Sequence, residues 1–190
     1  MRKSGMMDHI AVHSIVVCQV ATCLSTHLYG RGLHFDFGLV QAASLLHDIT
    51  KTRSFDTGEN HAETAEAYLT EVGYPEVGRI VGQHVQLNSY AIDKPISEAH
   101  IVNYSDKRVR HDQVVSLADR FDYIMGRYGK SPEDRERIRL LRDKTARVGK
   151  RIFSSIPFEP DALKSRLDSD LFQQGLQEYR RQAGQPTAGK

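Results

Sequence analysis

Between Met7 and Tyr29 the apolar residues Ile10, Ala11, Val12, Ile15, Val16, Val17, Val20, Ala21 and Leu24 fall on a wide helical face. A stripe that wide predicts a largely buried helix. Gly30 and Gly32 stop it. Asp36 is placed to cap a second helix through Leu39, Val40, Ala42, Ala43, Leu45 and Leu46 to about Asp48. Residues 50–58 are polar, contain Gly and read as a loop. Asn60, with Glu63 at the capping-box position, begins a third helix that ends near Gly73. Pro75 opens a fourth, to about Val85. Residues 88–95 read as a second loop. Further helices are predicted over Ser97–Val109, from Ser116 or Leu117 to Gly126 or Gly129, from Ser131 to about Phe153, and from Asp161 to about Arg180. The tail AGQPTAGK reads as mobile.

No segment alternates with the period of a half-buried strand over more than a few residues. The pattern predicts an all-α protein. Residues 7–128 form a helical bundle, and residues 129–190 a charged helical extension with a mobile tail. The charged helix from Pro132 to Arg151 reads as a solvated one; covering the site or pairing with a second subunit are its other readings.

Composition adds limits. The chain has 190 residues, 39% of them apolar and 26% charged, with no Trp. This suits a globular protein with its own core. No uninterrupted apolar run approaches the roughly 20 residues of a spanning helix. The first residues, MRKSGMMDHIAVHS, put charge and His where a signal peptide carries its apolar stretch. A cytoplasmic protein without membrane association is expected. The net charge of +2 comes from 26 basic and 24 acidic residues, a balance that does not predict nucleic-acid binding. If Cys18 and Cys23 share one helix, their Cα atoms are about 8–9 Å apart, beyond the reach of a disulfide. Both read as reduced core thiols.

The nine His change the picture. His13, the pair His47-Asp48, His61, His84 and Asp106 fall on five different predicted helices. A bundle that points one or two such side chains inward from each helix builds a metal site at its centre. Imidazole with carboxylate, and no Cys, suits Fe, Mn, Zn or Ni over a thiolate site, with Mg a further option. His13 lies among apolar residues, where a buried imidazole needs a hydrogen bond or a metal. Asp48 follows a helix end, where a negative charge is opposed by the helix dipole unless a cation offsets it. His9, His27, His34, His100 and His111 carry no signal beyond ordinary packing.

The ordered series His13, LLHDITK at 45–51, His61, His84 and YSDKRV at 104–109 resembles the HD-domain metal-dependent phosphohydrolases. The middle motif there is usually H-D-I-G-K, and Thr50 replaces the Gly. The resemblance covers about residues 7–128. It implies an α-helical bundle around one or two divalent metals. The implied reaction is cleavage of a phosphate ester or anhydride of a nucleotide or similar phosphorylated metabolite by a metal-activated hydroxide. By motif, His13, His47, Asp48 and Asp106 match the shared ligands. His61 and His84 match the further histidines of the two-metal branches, with Asp48 bridging. Asp48, Lys51 and His61 are the expected catalytic residues; His61 serves as acid or base if a single metal binds. Lys51 and Arg108 are the expected phosphate contacts, with Lys107 and Arg110 beside them.

A cyclic-dinucleotide phosphodiesterase is one alternative. That branch carries a second His after the position of His84, where this chain has Val85. Gly73-Tyr74-Pro75 reads as a helix connection and not as that branch's motif. A catalytically silent binding or regulatory module on the same fold is the other alternative. The expected partner is a small phosphorylated substrate, with a homodimer possible.

Overall fold

A computed structural model describes residues 5–88 and 94–167. The first helix, α1 (Asp8–Tyr29), is the longest apolar element. It buries Ile10, Val16, Val17, Val20, Leu24 and Leu28 along one broad face. Its length and composition alone would let it cross a membrane, but more than half of its apolar window is packed inside the fold. The sequence pattern predicts a helix of this length; the expectation that no apolar run approaches a spanning length counted uninterrupted runs, which His13, Ser14 and Gln19 break.

Helix α2 (Phe37–Leu46) starts where Asp36 accepts the Leu39 backbone N–H, as the cap position predicts. It packs along α1 and ends at His47. Helix α4 (His61–Glu71) starts behind Asn60, whose side chain accepts from the Ala62 N–H. Glu63 binds the Asn60 side-chain amide at 2.7 Å and not its backbone N–H. Gly73, at φ 93°, turns the chain, and Pro75 opens the first turn of α5 (Pro75–Val81). The Gly-Tyr-Pro segment is therefore a helix connection. Helix α6 (Glu98–Asp106) crosses α1, α2 and α5 and is buried over nearly its whole length.

Two expectations fail locally. Residues 51–57, read as loop, form α3 (Lys51–Thr57). None of its residues is buried, so it has no apolar face to leave a periodic signal. Its ends are local: Ser54 N–H donates to Thr50 O, and Gly58 at φ 71° closes it. Beyond α6 the predicted helix stops at Asp106 instead of Val109. The chain turns into a two-residue hairpin, β1 (Val109–Arg110) against β2 (Gln113–Val114). Val109 pairs with Val114, and His111 at φ 56° makes the turn. Strands this short carry no alternating pattern.

Helix α7 (Leu117–Tyr128) follows a Ser116 cap, and α8 (Pro132–Ser154) follows a Ser131–Asp134 capping box. The first half of α8 is charged and largely exposed. Its second half sends Val148 and Ile152 into the common core. Gly149 lies against Tyr104 of α6, and a Cβ there would stand 2.6 Å from the Tyr104 ring. The solvated-helix reading thus fits only the first half. A short 3-10 turn (Pro160–Ala162) and α9 (Leu163–Arg166) complete the described chain. Most of the helix expected over 161–180, the tail, and residues 89–93 lie outside the described residues. Cys18 and Cys23 are free and half-buried.

Candidate metal centre

The ligand candidates sit at helix ends. His47 is the residue on which α2 closes, His61 opens α4, His84 lies in the turn after α5, and Asp106 is the last residue of α6. His13 projects from the middle of α1. Three helices therefore finish at the cluster, and each C-terminus carries a partial negative charge that favours a cation. His13, His47, Asp48, His84 and Asp106 are buried. The side chains of His61 and Lys51 remain 24% and 27% exposed, so the open side of the cluster lies there.

The two oxygens of Asp48 face two different histidine groups. Oδ2 stands 3.4 Å from His47 Nε2 and accepts from Lys51 Nζ at 2.7 Å. Oδ1 stands 3.4 Å from His61 Nε2 and 3.5 Å from His84 Nε2. On the first side, Asp106 Oδ1 lies 3.1 Å from His13 Nε2 and 3.7 Å from His47 Nε2. On the second side, the Nε2 atoms of His61 and His84 are 3.1 Å apart. Donor atoms sharing one cation through 2.1 Å bonds are about 3.0–3.4 Å from each other, so these spacings suit a common ion. Two triads can each hold a metal ion, His13 with His47 and Asp48, and Asp48 with His61 and His84.

The hydrogen bonds on the far side of each ring fix what the near side offers. His13 Nδ1 meets the carbonyl of His111 at 2.9 Å, His47 Nδ1 that of Ser44 at 2.8 Å, and His84 Nδ1 that of Val81 at 2.7 Å. A carbonyl only accepts, so each Nδ1 carries a hydrogen, and each ring in its neutral form turns an Nε2 lone pair inward. Those lone pairs meet carboxylate oxygens or one another. Such a convergence of acceptors needs a proton or a cation between them. Among the described residues, His47 Nε2 and Asp48 Oδ1 are buried without a hydrogen-bond partner. The residues present thus fit a metal ion, and carbonyl-oriented imidazoles are the usual outer support of such a site.

Burial opposes a charge on His47, but Asp48 and Asp106 outweigh it and raise the His47 pKa, so a proton held among these groups occupies the place for which a cation competes. Burial works against an ionised Asp48, but the His47 and Lys51 charges outweigh it and hold the carboxyl well below its usual range. Asp106 behaves alike: burial opposes its charge, and Lys107, His13 and Arg120 restore it. Burial lowers the pKa of His84, and burial with the neighbouring His84 lowers that of His61 to about 4. At neutral pH these two rings are uncharged and the carboxylates ionised, the forms that bind metal.

Lys107, next to Arg108 among the candidate phosphate contacts, is buried. Its Nζ donates to Asp106 Oδ2 at 3.1 Å and to the His84 carbonyl. Asn103 Nδ2 donates to the carbonyls of Gln83 and His84, both at 2.9 Å. Helix α6 thereby holds the His84 turn in place. Arg108 is not brought to the cluster. Its guanidinium is spent on Val115 O, the Tyr104 hydroxyl and Pro160 O. Arg110 lies exposed on the hairpin. Two contributors left no sequence signal. The His111 backbone orients His13 through a hairpin too short to read, and Arg120 of α7 reaches within 3.7 Å of Asp106 Oδ1 from an ordinary charged stretch.

A family model described as HD domain matches residues 10–124, from α1 into α7. No curated protein and no solved structure matched the chain. Members of that family are generally metal-dependent phosphohydrolases. With the match spanning more than half of its length, and with His13, His47, Asp48, His61, His84 and Asp106 meeting in one cluster, the chain belongs to the HD domain family.

Proposed function

We propose that this protein is a metal-dependent phosphohydrolase that cleaves a phosphate ester or anhydride of a nucleotide or similar phosphorylated metabolite. The observation that carries the reading is Asp48, with one oxygen toward each histidine group and the Lys51 ammonium against it at the open side. His13, His47, Asp48 and Asp106 would hold one divalent cation, and Asp48, His61 and His84 a second. Such a cation supplies a water acidic enough to act as hydroxide near neutral pH, and a Lewis acid for phosphoryl oxygens.

The chain's own residues do the rest. Lys51 spends one of its three N–H donors on Asp48 and has two left for an entering anion. His61 Nε2, uncharged near pH 7, is able to accept a proton when only the first cation is bound. The charge balance points to an anionic substrate. Against the two carboxylates stand Lys51 and Arg120, with Lys107, whose pKa burial lowers, beside Asp106, so basic groups outnumber acidic ones around the cluster. The unpaired thiols of Cys18 and Cys23 agree with a cytoplasmic setting.

The test is a panel of phosphomonoesters, phosphodiesters and dinucleoside polyphosphates offered to protein reconstituted with manganese or iron. Turnover of at least one class, abolished by chelation and restored by metal, is the expected result. A fully loaded protein that turns over none of them would favour the silent-module alternative.

A further inference from the structure

Arg120 sits in the first turn of α7, behind the Ser116 cap. Its side chain is only 13% exposed and lies beside the ligand cluster. A guanidinium carries five N–H donors in a rigid fork. The contact of Arg120 with Asp106 is long, 3.7 Å from Nη2 to Oδ1, and its Nε is buried with no hydrogen-bond partner among the described residues. Arg120 adds to the field that keeps Asp106 ionised, but Lys107 contributes more and is closer. Oδ2 already has the Lys107 ammonium at 3.1 Å, and Oδ1 faces His13 and His47. An arginine that served only to neutralise Asp106 would close on it bidentately.

The fork is also held in place. Its Cζ lies 5.9 Å from the centre of the Tyr123 ring, and Tyr123 packs edge-on against His111, whose backbone carbonyl orients His13. The cation is thus fixed to the same hairpin that supports a metal ligand. A second positive charge next to a metal ligand repels the metal. That placement becomes favourable once an anion lies between them.

We propose that Arg120 is a substrate-binding residue whose guanidinium takes phosphoryl oxygens, working with Lys51 across the open side of the cluster. This rests on the phosphohydrolase reading. It predicts a substrate whose phosphate is gripped by an arginine fork as well as by metal.

The test uses the full chain loaded with manganese, with inorganic phosphate as the probe, read by calorimetry alongside metal content by elemental analysis. R120Q should bind phosphate about 10- to 100-fold more weakly than wild type while retaining its metal. R120K should recover only part of the loss, because an ammonium cannot present the fork. Phosphate affinity unchanged in R120Q overturns the proposal. So does a loss of metal that parallels the loss of phosphate, which would make Arg120 a support for Asp106. If R120Q does not fold, R120K decides: binding equal to wild type overturns the proposal, and weakened binding at full metal content supports it. A loaded wild type that neither binds phosphate nor turns over any phosphorylated compound removes the phosphohydrolase reading and this proposal with it. Wild-type binding that R120Q leaves intact removes the Arg120 proposal alone.

Discussion

His47 and His84 pack edge-to-face with ring centroids 5.0 Å apart, and each donates its Nδ1–H to the carbonyl three residues before it, Ser44 and Val81. The same local device, a histidine just past a helix end that caps its own last turn, is used twice. It satisfies an orphan carbonyl and at the same time aims Nε2 at Asp48. Helix termination and ligand orientation are one event here.

Lys107 ties the two halves of this arrangement through Asp106 and the His84 carbonyl. In K107M both lose a buried donor. Metal affinity should fall about 10- to 100-fold, as it does when outer-shell partners are removed. The metal-free fold should lose about 3 kcal/mol, because a buried pair is broken on one side only. Chelator competition and urea denaturation measure the two effects. A variant with wild-type metal affinity would show that Lys107 does not position the ligands.

The two histidine groups around Asp48 predict two cations with separable ligands. The double change His61→Ala, His84→Ala should halve the bound metal and leave the first site filled. Elemental analysis under saturating manganese reads the ratio. One metal per chain in the wild type, with normal turnover in the double variant, would assign both histidines to the fold alone.

His100 gives a pH dependence independent of the metal ligands. Its Nδ1 accepts the Ser97 backbone N–H in the capping box that starts α6. Burial, and then the Arg151 charge, push its pKa below 6.5. The unfolded chain therefore takes up a proton below about pH 6.5 that the folded one resists. Stability from this group is present above that pH and is lost as pH falls below it. Gln also accepts at this capping position without titrating. The drop in urea midpoint between pH 7 and pH 5 should be smaller in H100Q than in the wild type. An equal drop in both would refute the assignment.

The sequence showed most of the ligands because they are polar residues set in or just after an apolar run, while His61, behind the polar stretch DTGEN, was found through the motif series. His13 stands within α1, and His47-Asp48 follows AASLL. It did not show α3, which buries nothing, nor the hairpin, whose strands are two residues long. The hairpin explains why Arg108 misleads. Two residues after Asp106 in sequence, it lies past the end of α6, where the chain turns away and the guanidinium meets Pro160. Arg120 was invisible for the opposite reason. Its charged surroundings in LADRFD resemble any solvated helix, and only the approach of α7 to Asp106 distinguishes it.

Asp48 is the residue both triads share, so the whole centre depends on it. The most direct test is the metal content of Asp48→Ala after reconstitution with manganese, beside the wild type treated identically. The account predicts that the variant, checked for folding by circular dichroism, keeps almost no metal at either site. A folded Asp48→Ala protein with wild-type metal content would contradict it.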